Sequence, residues 1–115
     1  MKDSGTLFIY ELKNIAEPGD MSAEALDKVT SKHWFETMYI GRDRQSQAKG
    51  YGERIDLRVR IHYEPEARID RFVVLGNGDQ FRIIDCTPNK NEDGLRCTDM
   101  SLMRLEDFYD VADET

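Results

Sequence analysis

A run of strict alternation constrains the fold of this chain more than any other feature. Within Ile55–Tyr63, each apolar residue is separated from the next by an aspartate, an arginine or a histidine. The apolar positions are Ile55, Leu57, Val59, Ile61 and Tyr63. Because successive side chains of a strand point to opposite faces, this period of two predicts a half-buried β-strand.

Five further segments have the composition of strands. They are rich in β-branched and aromatic residues, and Gly, Pro, Asn and Asp residues separate most of them. These segments are Thr6–Ile15, Lys28–Ile40, Ile69–Leu75, Gln80–Thr87 and Leu95–Leu105. For Lys28–Ile40 a helix is the alternative, because some of its apolar residues also fit a 3.6-residue spacing. Between two of the strands, Asn77-Gly78 predicts a type I′ hairpin turn.

The predicted architecture is mainly β. The chain of 115 residues is expected to form one domain, a small antiparallel β-barrel or sandwich of about six strands. One short helix or loop, at residues 41–54, is inserted between the second and third predicted strands. A flexible loop is expected at residues 16–25 and an acidic tail at residues 106–115, with frayed last residues and little internal packing.

The insert at residues 41–54 is polar and locally cationic in an acidic chain. Its candidate functional residues are Arg42, Arg44, Gln45, Gln47, Lys49 and Arg54, and its candidate hinges are Gly41, Gly50 and Gly52. A segment this short is marginal as an isolated helix, so it is expected to be a short helix or a loop that orders against a partner. Gly50 is the predicted C-cap.

Charge and motifs exclude several classes of function. The formal net charge is −7, so a strong grip on nucleic acid by the whole surface is not expected. No nucleophile elbow, phosphate-binding loop or metal-site spacing is present, and no catalytic, cofactor or metal residues are predicted. Asp56 and His62 are six residues apart, about 20 Å along a strand, so they cannot touch. Asp85 is expected to pair with a cross-strand partner such as an arginine.

Three other residues are expected to be structural. Trp34, the single tryptophan, is predicted to anchor the core. Cys86 and Cys97 are predicted to be small core residues rather than a disulfide, because no signal peptide or membrane-spanning run is visible and a reducing cytoplasm is expected.

Assembly with other chains is the remaining class. The first strand is apolar on both faces at its start, the insert is too short to fold alone, and the acidic tail is not expected to pack internally. The candidate subunit-interface residues are Phe8, Tyr10, Phe108 and Tyr109. These features favour a domain that completes itself against copies or neighbours.

The order and spacing of the segments resemble a known family. The strongest pieces are Tyr39-Ile40-Gly41-Arg42 followed by Gln45–Ala48, then Ile55–Tyr63, then Gln80–Ile84. Over Thr6–Glu106 the pattern resembles the head–tail joining proteins of long-tailed bacteriophages, the head-closure or stopper family.

The resemblance implies a fold and a function. It implies a non-enzymatic β-barrel without cofactors that forms a cyclic ring of six or twelve copies in the virion, at the head–tail connector, after assembly in the host cytoplasm. The ring closes the DNA exit channel after packaging and docks the tail, with residues 41–54 toward the channel. Its partners are portal and adaptor proteins above, a tail tube or tail-terminator protein below and transient double-stranded DNA, with no membrane.

The resemblance leaves open whether the insert blocks the channel by bulk or by touching DNA. The alternative function is a cytoplasmic β-barrel binding module that contacts RNA or single-stranded DNA through the basic insert.

Overall fold

The structure, a computed structural model, describes residues 4–14, 24–50 and 52–111. These residues form eight strands and one helix. The elements are β1 (Gly5–Asn14), β2 (Glu24–Lys28), β3 (His33–Thr37), α1 (Arg42–Gly50), β4 (Leu57–His62), β5 (Phe72–Leu75), β6 (Gln80–Lys90), β7 (Arg96–Arg104) and β8 (Asp110–Val111).

Six of the strands close into an antiparallel barrel. Their order around the barrel is β1–β3–β4–β7–β6–β5, and β5 pairs with β1 again. Leu7 of β1 marks the closure, because it is opposite His33 of β3 on one side and Leu75 of β5 on the other. The predicted small β-barrel with one inserted helix is therefore confirmed.

The barrel interior contains the main core. Alternate residues of the six strands point inward, as the period of two in β4 predicts. The fully buried apolar side chains of this core include Leu7, Ile9, Val59, Ile61, Val73, Ile83, Met100 and Leu102. Phe35 and Phe81 fill the remaining width of the barrel with aromatic rings.

A second apolar cluster lies outside the barrel wall. β1 continues beyond the barrel as a ribbon with β2, from the pair Tyr10–Lys28 to the pair Asn14–Glu24. The outward face of β1, β2 and β5 is apolar, and Leu105 and Tyr109 pack on it. Its buried members are Tyr10, Leu26, Phe72 and Val74. Both faces of β1 are thus covered by residues of the same chain.

The region before α1 differs from the prediction. The predicted strand Lys28–Ile40 is shorter than expected, because β3 covers only His33–Thr37 and Lys28 is the last residue of a separate strand, β2. The helical alternative is wrong. Thr30 stabilises the connection between β2 and β3, because its hydroxyl accepts a hydrogen bond from Ile9 N at 3.2 Å and donates one to Ser31 O at 2.9 Å. The predicted loop at residues 16–25 also ends earlier, because Glu24 and Ala25 belong to β2 and Ala25 is fully buried. The rest of that loop lies outside the described residues.

The β5–β6 hairpin does not use the predicted type I′ turn. That turn needs positive φ at both central residues, and of the pair only Gly78 has it, at 95°. Leu75 O accepts a hydrogen bond from Gly78 N, and Leu75 N donates one to Asp79 O, both at 2.9 Å. This is the pattern of a type I turn followed by a left-handed glycine.

Trp34 is not a core anchor. Its side chain is 54% exposed, because the inward position of β3 belongs to its neighbour Phe35. Trp34 is opposite Thr6 in the sheet, and the ammonium group of Lys32 lies 6.0 Å from the ring centroid. The strand alternation therefore decides the outcome against the size of the side chain.

Candidate functional site

The insert folds as a helix on the isolated chain. α1 begins after Gly41, whose carbonyl accepts a hydrogen bond from Gln45 N at 3.1 Å. At its other end Gly52 N donates to Lys49 O at 3.0 Å, and Glu53 N donates to Ala48 O at 2.8 Å. This is a Schellman motif, in which the residue after the cap must be left-handed.

That residue is Gly52, with φ of 74°. The prediction of Gly50 as the C-cap is therefore wrong, because Gly50 is the last helical residue. Gly52 supplies a left-handed conformation. Gly41 and Gly50 do not have a positive φ, and a Cβ added to either would meet no atom within 4 Å.

The side of α1 that faces the barrel is held mostly by polar contacts. Ala48 is its one buried residue, and Arg44 Nη1 donates to Asp85 Oδ2 of β6 at 3.0 Å. Both side chains of this ion pair remain about half exposed, so its contribution is small. The predicted arginine partner of Asp85 is thus found, but on the helix rather than on a neighbouring strand.

Gln45 fastens the helix to the segment that leads into β4. Its Nε2 donates to Ile55 O and its Oε1 accepts from Ile55 N, both at 2.9 Å. Beyond the helix, Glu53 pairs with Arg82 of β6 at 2.9 Å. These contacts hold the helix and the C-terminal part of the insert against the barrel.

A cleft of about 200 Å³ lies between α1 and the barrel wall. Ile84 lines it, at the point where the β6–β7 register shifts between Ile83 and Asp85. Such a bulge turns an extra side chain to the surface. Ser101 of β7 also lines the cleft, and its hydroxyl is buried with no hydrogen-bond partner.

An ion network lies on the same outer wall. Arg60 of β4 donates to both carboxylate oxygens of Asp99, at 2.7 and 3.0 Å, and Asn89 donates to Asp99 at 3.2 Å. Arg58 is farther away, with its nearest nitrogen 3.9 Å from Asp99. Its Nε is buried and has no hydrogen-bond partner.

Charge compensation in this network is uneven. Burial opposes the charge of Asp99, but hydrogen bonds from Arg60 and Asn89 and the attraction of the arginines outweigh it and lower the pKa of Asp99. For Arg58, burial and the nearby cation of Arg44 prevail, so its pKa is lowered. The wall under α1 is therefore polar, buried and not fully paired.

The predicted insert residues fall into two groups. Arg44 and Gln45 hold the helix, and Arg54 pairs with Asp56 at 2.7 Å. In contrast, Arg42 and Lys49 are exposed and have no hydrogen-bond or ion-pair partner within the described residues, and the same holds for Gln47. Two of the four cationic side chains of the insert, Arg44 and Arg54, are thus paired with carboxylates of the same chain.

The two free cations border a shallow groove of about 340 Å³. Tyr39 lies on its edge with its side chain 85% exposed, the largest exposure among the large apolar and aromatic side chains described. Ile40, Gly41, Gln45 and Ser46 complete the lining. An exposed aromatic ring beside free cations is suited to an anionic partner with an apolar or aromatic part.

The C-terminal segment is fastened by a buried glutamine that sequence reasoning missed. Gln80 donates to Tyr109 O and accepts from Tyr109 N, both at 2.8 Å. The ring of Tyr109 packs edge-on against Phe72, with centroids 5.5 Å apart. β8 then pairs in parallel with Ala25 and Leu26 of β2. The expected lack of internal packing in the tail is therefore wrong for residues 109–111, and residues 112–115 lie outside the described part.

The four candidate interface residues do not form one surface. Tyr10 is buried in the second cluster, and Phe8 and Tyr109 are half-buried beside it. Phe108 alone is strongly exposed, at 63%. An interface role remains a prediction, and Phe108 is the candidate with the most surface for it.

The two histidines and the two cysteines do not form a common site. His33 Nε2 is 2.9 Å from Glu64 Oε1, and His62 is exposed. Cys97 is buried and Cys86 half-buried, and both are free, so no disulfide joins them. Cys86 is opposite Met100 and Cys97 is opposite Asn89, so the sheet register separates the two thiols. Burial raises the pKa of each thiol.

Metal and membrane sites are not apparent in the part of the chain that the structure describes. No three histidine, cysteine, aspartate or glutamate residues there are grouped to hold a metal ion. The helix found there is too short and too polar to span a bilayer. No protein-family model matches the chain, and no curated protein matches its sequence.

Proposed function

We propose that this chain is a virion structural protein at the head–tail interface of a tailed phage. In this role it forms a ring that closes the DNA exit channel after packaging and docks the tail. The observation that carries the proposal is a closed six-strand barrel interrupted by one helix, α1, between β3 and β4. This is the architecture that the segment pattern of the sequence implies for a head-closure protein.

The packing of α1 supports a gating role for the insert. A helix that belongs permanently to a core buries an apolar stripe, whereas α1 buries only Ala48. The barrel surface beneath α1 contains the Ser101 hydroxyl, which has no hydrogen-bond partner, and Arg58, whose Nε has none. Because these groups gain little from the helix, α1 can leave this position at a lower free-energy cost than an apolar helix of equal length.

The distribution of charge supports closure by bulk. Arg44 and Arg54 are neutralised by Asp85 and Asp56, so the insert carries less free positive charge than its sequence indicates. The remaining surface is acidic, with a formal net charge of −7 for the chain. A negative wall does not hold the DNA that must pass.

A phage that encodes this chain allows a direct test. Replacement of residues 42–49 by a Gly/Ser linker of equal length removes α1 and leaves the barrel. Heads filled in the presence of this variant are expected to lose DNA, measured by the nuclease-sensitive fraction after packaging. The matched control replaces residues 91–94, the β6–β7 turn, by the same kind of linker. Retention of DNA by both variants would contradict the gating role.

The alternative is a β-barrel module that binds RNA or single-stranded DNA. Tyr39, Arg42 and Lys49 favour it, because an exposed ring and two free cations are the elements of a stacking and phosphate-contact surface. Micromolar affinity for single-stranded nucleic acid that falls steeply with salt would support this alternative. Loss of that affinity in Arg42→Ala/Lys49→Ala would locate it at the groove.

A further inference from the structure

Two different surfaces lie on neighbouring walls of the barrel. α1 covers the outer wall of β6 and β7, where Asp85 and Ser101 face it. Tyr109 and β8 cover the outer wall of β5, β1 and β2, through Phe72 and Leu26. In the closed order β1–β3–β4–β7–β6–β5, these walls are neighbours, because β6 pairs with β5. A head-to-tail contact between copies joins two unlike surfaces of the subunit, and it gives a ring where the rotation closes.

The first surface is the groove beside α1. Arg42 and Lys49 are seven residues apart in the helix, which places them on one face and about 10 Å apart along the axis. Ala48 and Arg44 face the barrel, so these two cations point away from it. Tyr39 adds an exposed aromatic ring to the same groove.

The second surface is the segment Glu106–Phe108. Phe108 is held outward, because its neighbour Tyr109 is anchored by Gln80. Glu106 and Asp107 are exposed and form no hydrogen bond or ion pair with the described residues. Glu106 lies close enough to attract Arg54, but Arg54 already pairs with Asp56. The segment thus presents two free carboxylates and an exposed aromatic ring.

We propose that Glu106–Phe108 of one copy of this chain docks in the groove beside α1 of a second copy. Phe108 packs against Tyr39 and Ile40, and the two carboxylates meet Arg42 and Lys49. This inference rests on the proposed ring and names its subunit contact. It also assigns a role to the two cations that have no partner within the described residues, while Arg44 and Arg54 keep their carboxylate partners in the same chain.

Charge complementarity selects a second copy as the occupant. The groove contributes two free cations, and the segment contributes two free anions, so the contact is neutral overall. Such a contact forms in spite of the net charge of −7, because the approaching surfaces have opposite local charge. It also places α1 between its own barrel and the next, so that ring assembly controls the position of the helix.

Cross-linking between different copies tests the contact. One copy carries Tyr39→Cys and another carries Phe108→Cys, both with Cys86→Ser so that the half-buried native thiol does not react. A disulfide between these two variants can form only between copies. We expect a covalent dimer in the mixture at high protein concentration, and more of it than in either variant alone. A control mixture uses Leu95→Cys, which is as exposed as Phe108 but lies at the β6–β7 turn.

Charge reversal with rescue gives a second measurement. Arg42→Glu/Lys49→Glu is expected to lower the oligomeric mass in sedimentation experiments, and the added Glu106→Lys/Asp107→Lys is expected to restore it. Phe108→Ala is expected to weaken assembly, whereas Ile69→Ala, at a similarly exposed apolar residue, is not. Circular dichroism of each variant checks that the barrel is folded.

The outcomes separate this inference from the proposed function. The contact would be overturned if rings form but the mixture of Tyr39→Cys and Phe108→Cys gives no cross-link, or if charge reversal does not change assembly. Either result would leave the head–tail role unaffected. A chain that never assembles, alone or on filled heads, would overturn both. Protection of the groove by nucleic acid in place of a second copy would also overturn the contact and favour the binding module.

Discussion

Gln80 holds Tyr109 by both of its backbone polar groups, at 2.8 Å each. Gln80 is the first residue of β6 and only 4% exposed, so it binds the backbone of the C-terminal segment from inside the fold. Gln45 does the same to Ile55 at 2.9 Å. Gln45 thus fastens the insert, and Gln80 fastens the C-terminal segment.

Gln80→Ala is expected to release the C-terminal segment. The change leaves the backbone groups of Tyr109 without partners, which costs about 1–3 kcal/mol in the free energy of unfolding if the segment stays in place. Release avoids part of that cost, so the amide of Tyr109 should exchange faster with deuterium and the tail should become sensitive to protease. Gln47→Ala, an exposed glutamine on α1, is the control and should change neither measurement.

The glycines at the end of α1 are expected to respond in opposite directions to alanine. Gly52→Ala forces a left-handed conformation on a residue with a Cβ, which should destabilise the protein by about 1 kcal/mol. Gly50→Ala adds a methyl group in open space to a helical residue, which should stabilise it by a few tenths up to about 1 kcal/mol. Urea denaturation measures both, and equal signs would contradict the assignment of Gly52 as the residue after the cap.

The ion network gives a prediction on acid stability. The pKa of Asp99 is lower in the folded state than in the unfolded state, so its carboxylate stabilises the fold above the unfolded value of about 3.9. That contribution is lost as the pH falls through the lower folded value. Asp99→Asn should therefore cost about 2–3 kcal/mol at neutral pH, because Arg60 loses a carboxylate partner.

The difference between the two proteins should shrink as the pH falls below about 4, measured by the urea midpoint at each pH. Asp93→Asn, in the exposed β6–β7 turn, is the matched control and should follow the wild type. A constant difference for Asp99→Asn over the whole pH range would show that the charge of Asp99 does not contribute.

The ion pair that holds α1 is expected to be weak. Arg44 and Asp85 are both about half exposed, so a double-mutant cycle with alanine should give a coupling free energy of about 0.2–1 kcal/mol. This value should fall with added salt. A coupling well above this range would mean that α1 is a fixed part of the barrel and would weigh against a movable insert.

Ser101→Ala is expected to be neutral or slightly stabilising. The hydroxyl of Ser101 is buried beneath α1 without a partner, so its removal leaves no group unsatisfied and avoids a desolvation cost. Thermal unfolding measures the effect, and Thr98→Ala is the control, because the Thr98 hydroxyl accepts a hydrogen bond from Glu64 N at 3.1 Å. A strong destabilisation by Ser101→Ala would mean that a ligand or a bound water completes the cleft.

Local sequence patterns predicted much of the barrel. The alternation of Ile55–Tyr63 marked β4, because a buried inward face needs apolar residues at every second position. The same alternation also shows why Trp34 was misplaced, since the inward position of β3 belonged to Phe35. The position of a residue in the strand alternation was a better guide to its burial than the size of its side chain.

The candidate site was only partly predictable. The composition of residues 41–54 indicated a short cationic helix or loop, but not that Arg44 and Arg54 would find acidic partners on β6 and before β4. The roles of Gln80 and Asp99 had no sequence signal, because both are polar residues within strand patterns that look ordinary. Their burial depends on elements that are distant in the chain.

The sequence by itself determined most of the barrel strands, the position of the insert and the acidic balance of the chain, because periodicity and composition act locally. Only the tertiary structure decided which cations stay free, how the tail returns to β2 and where α1 rests. These outcomes depend on which residues closure of the barrel brings together, such as Arg44 with Asp85 and Gln80 with Tyr109. Such partners are tens of residues apart, beyond the reach of any local pattern.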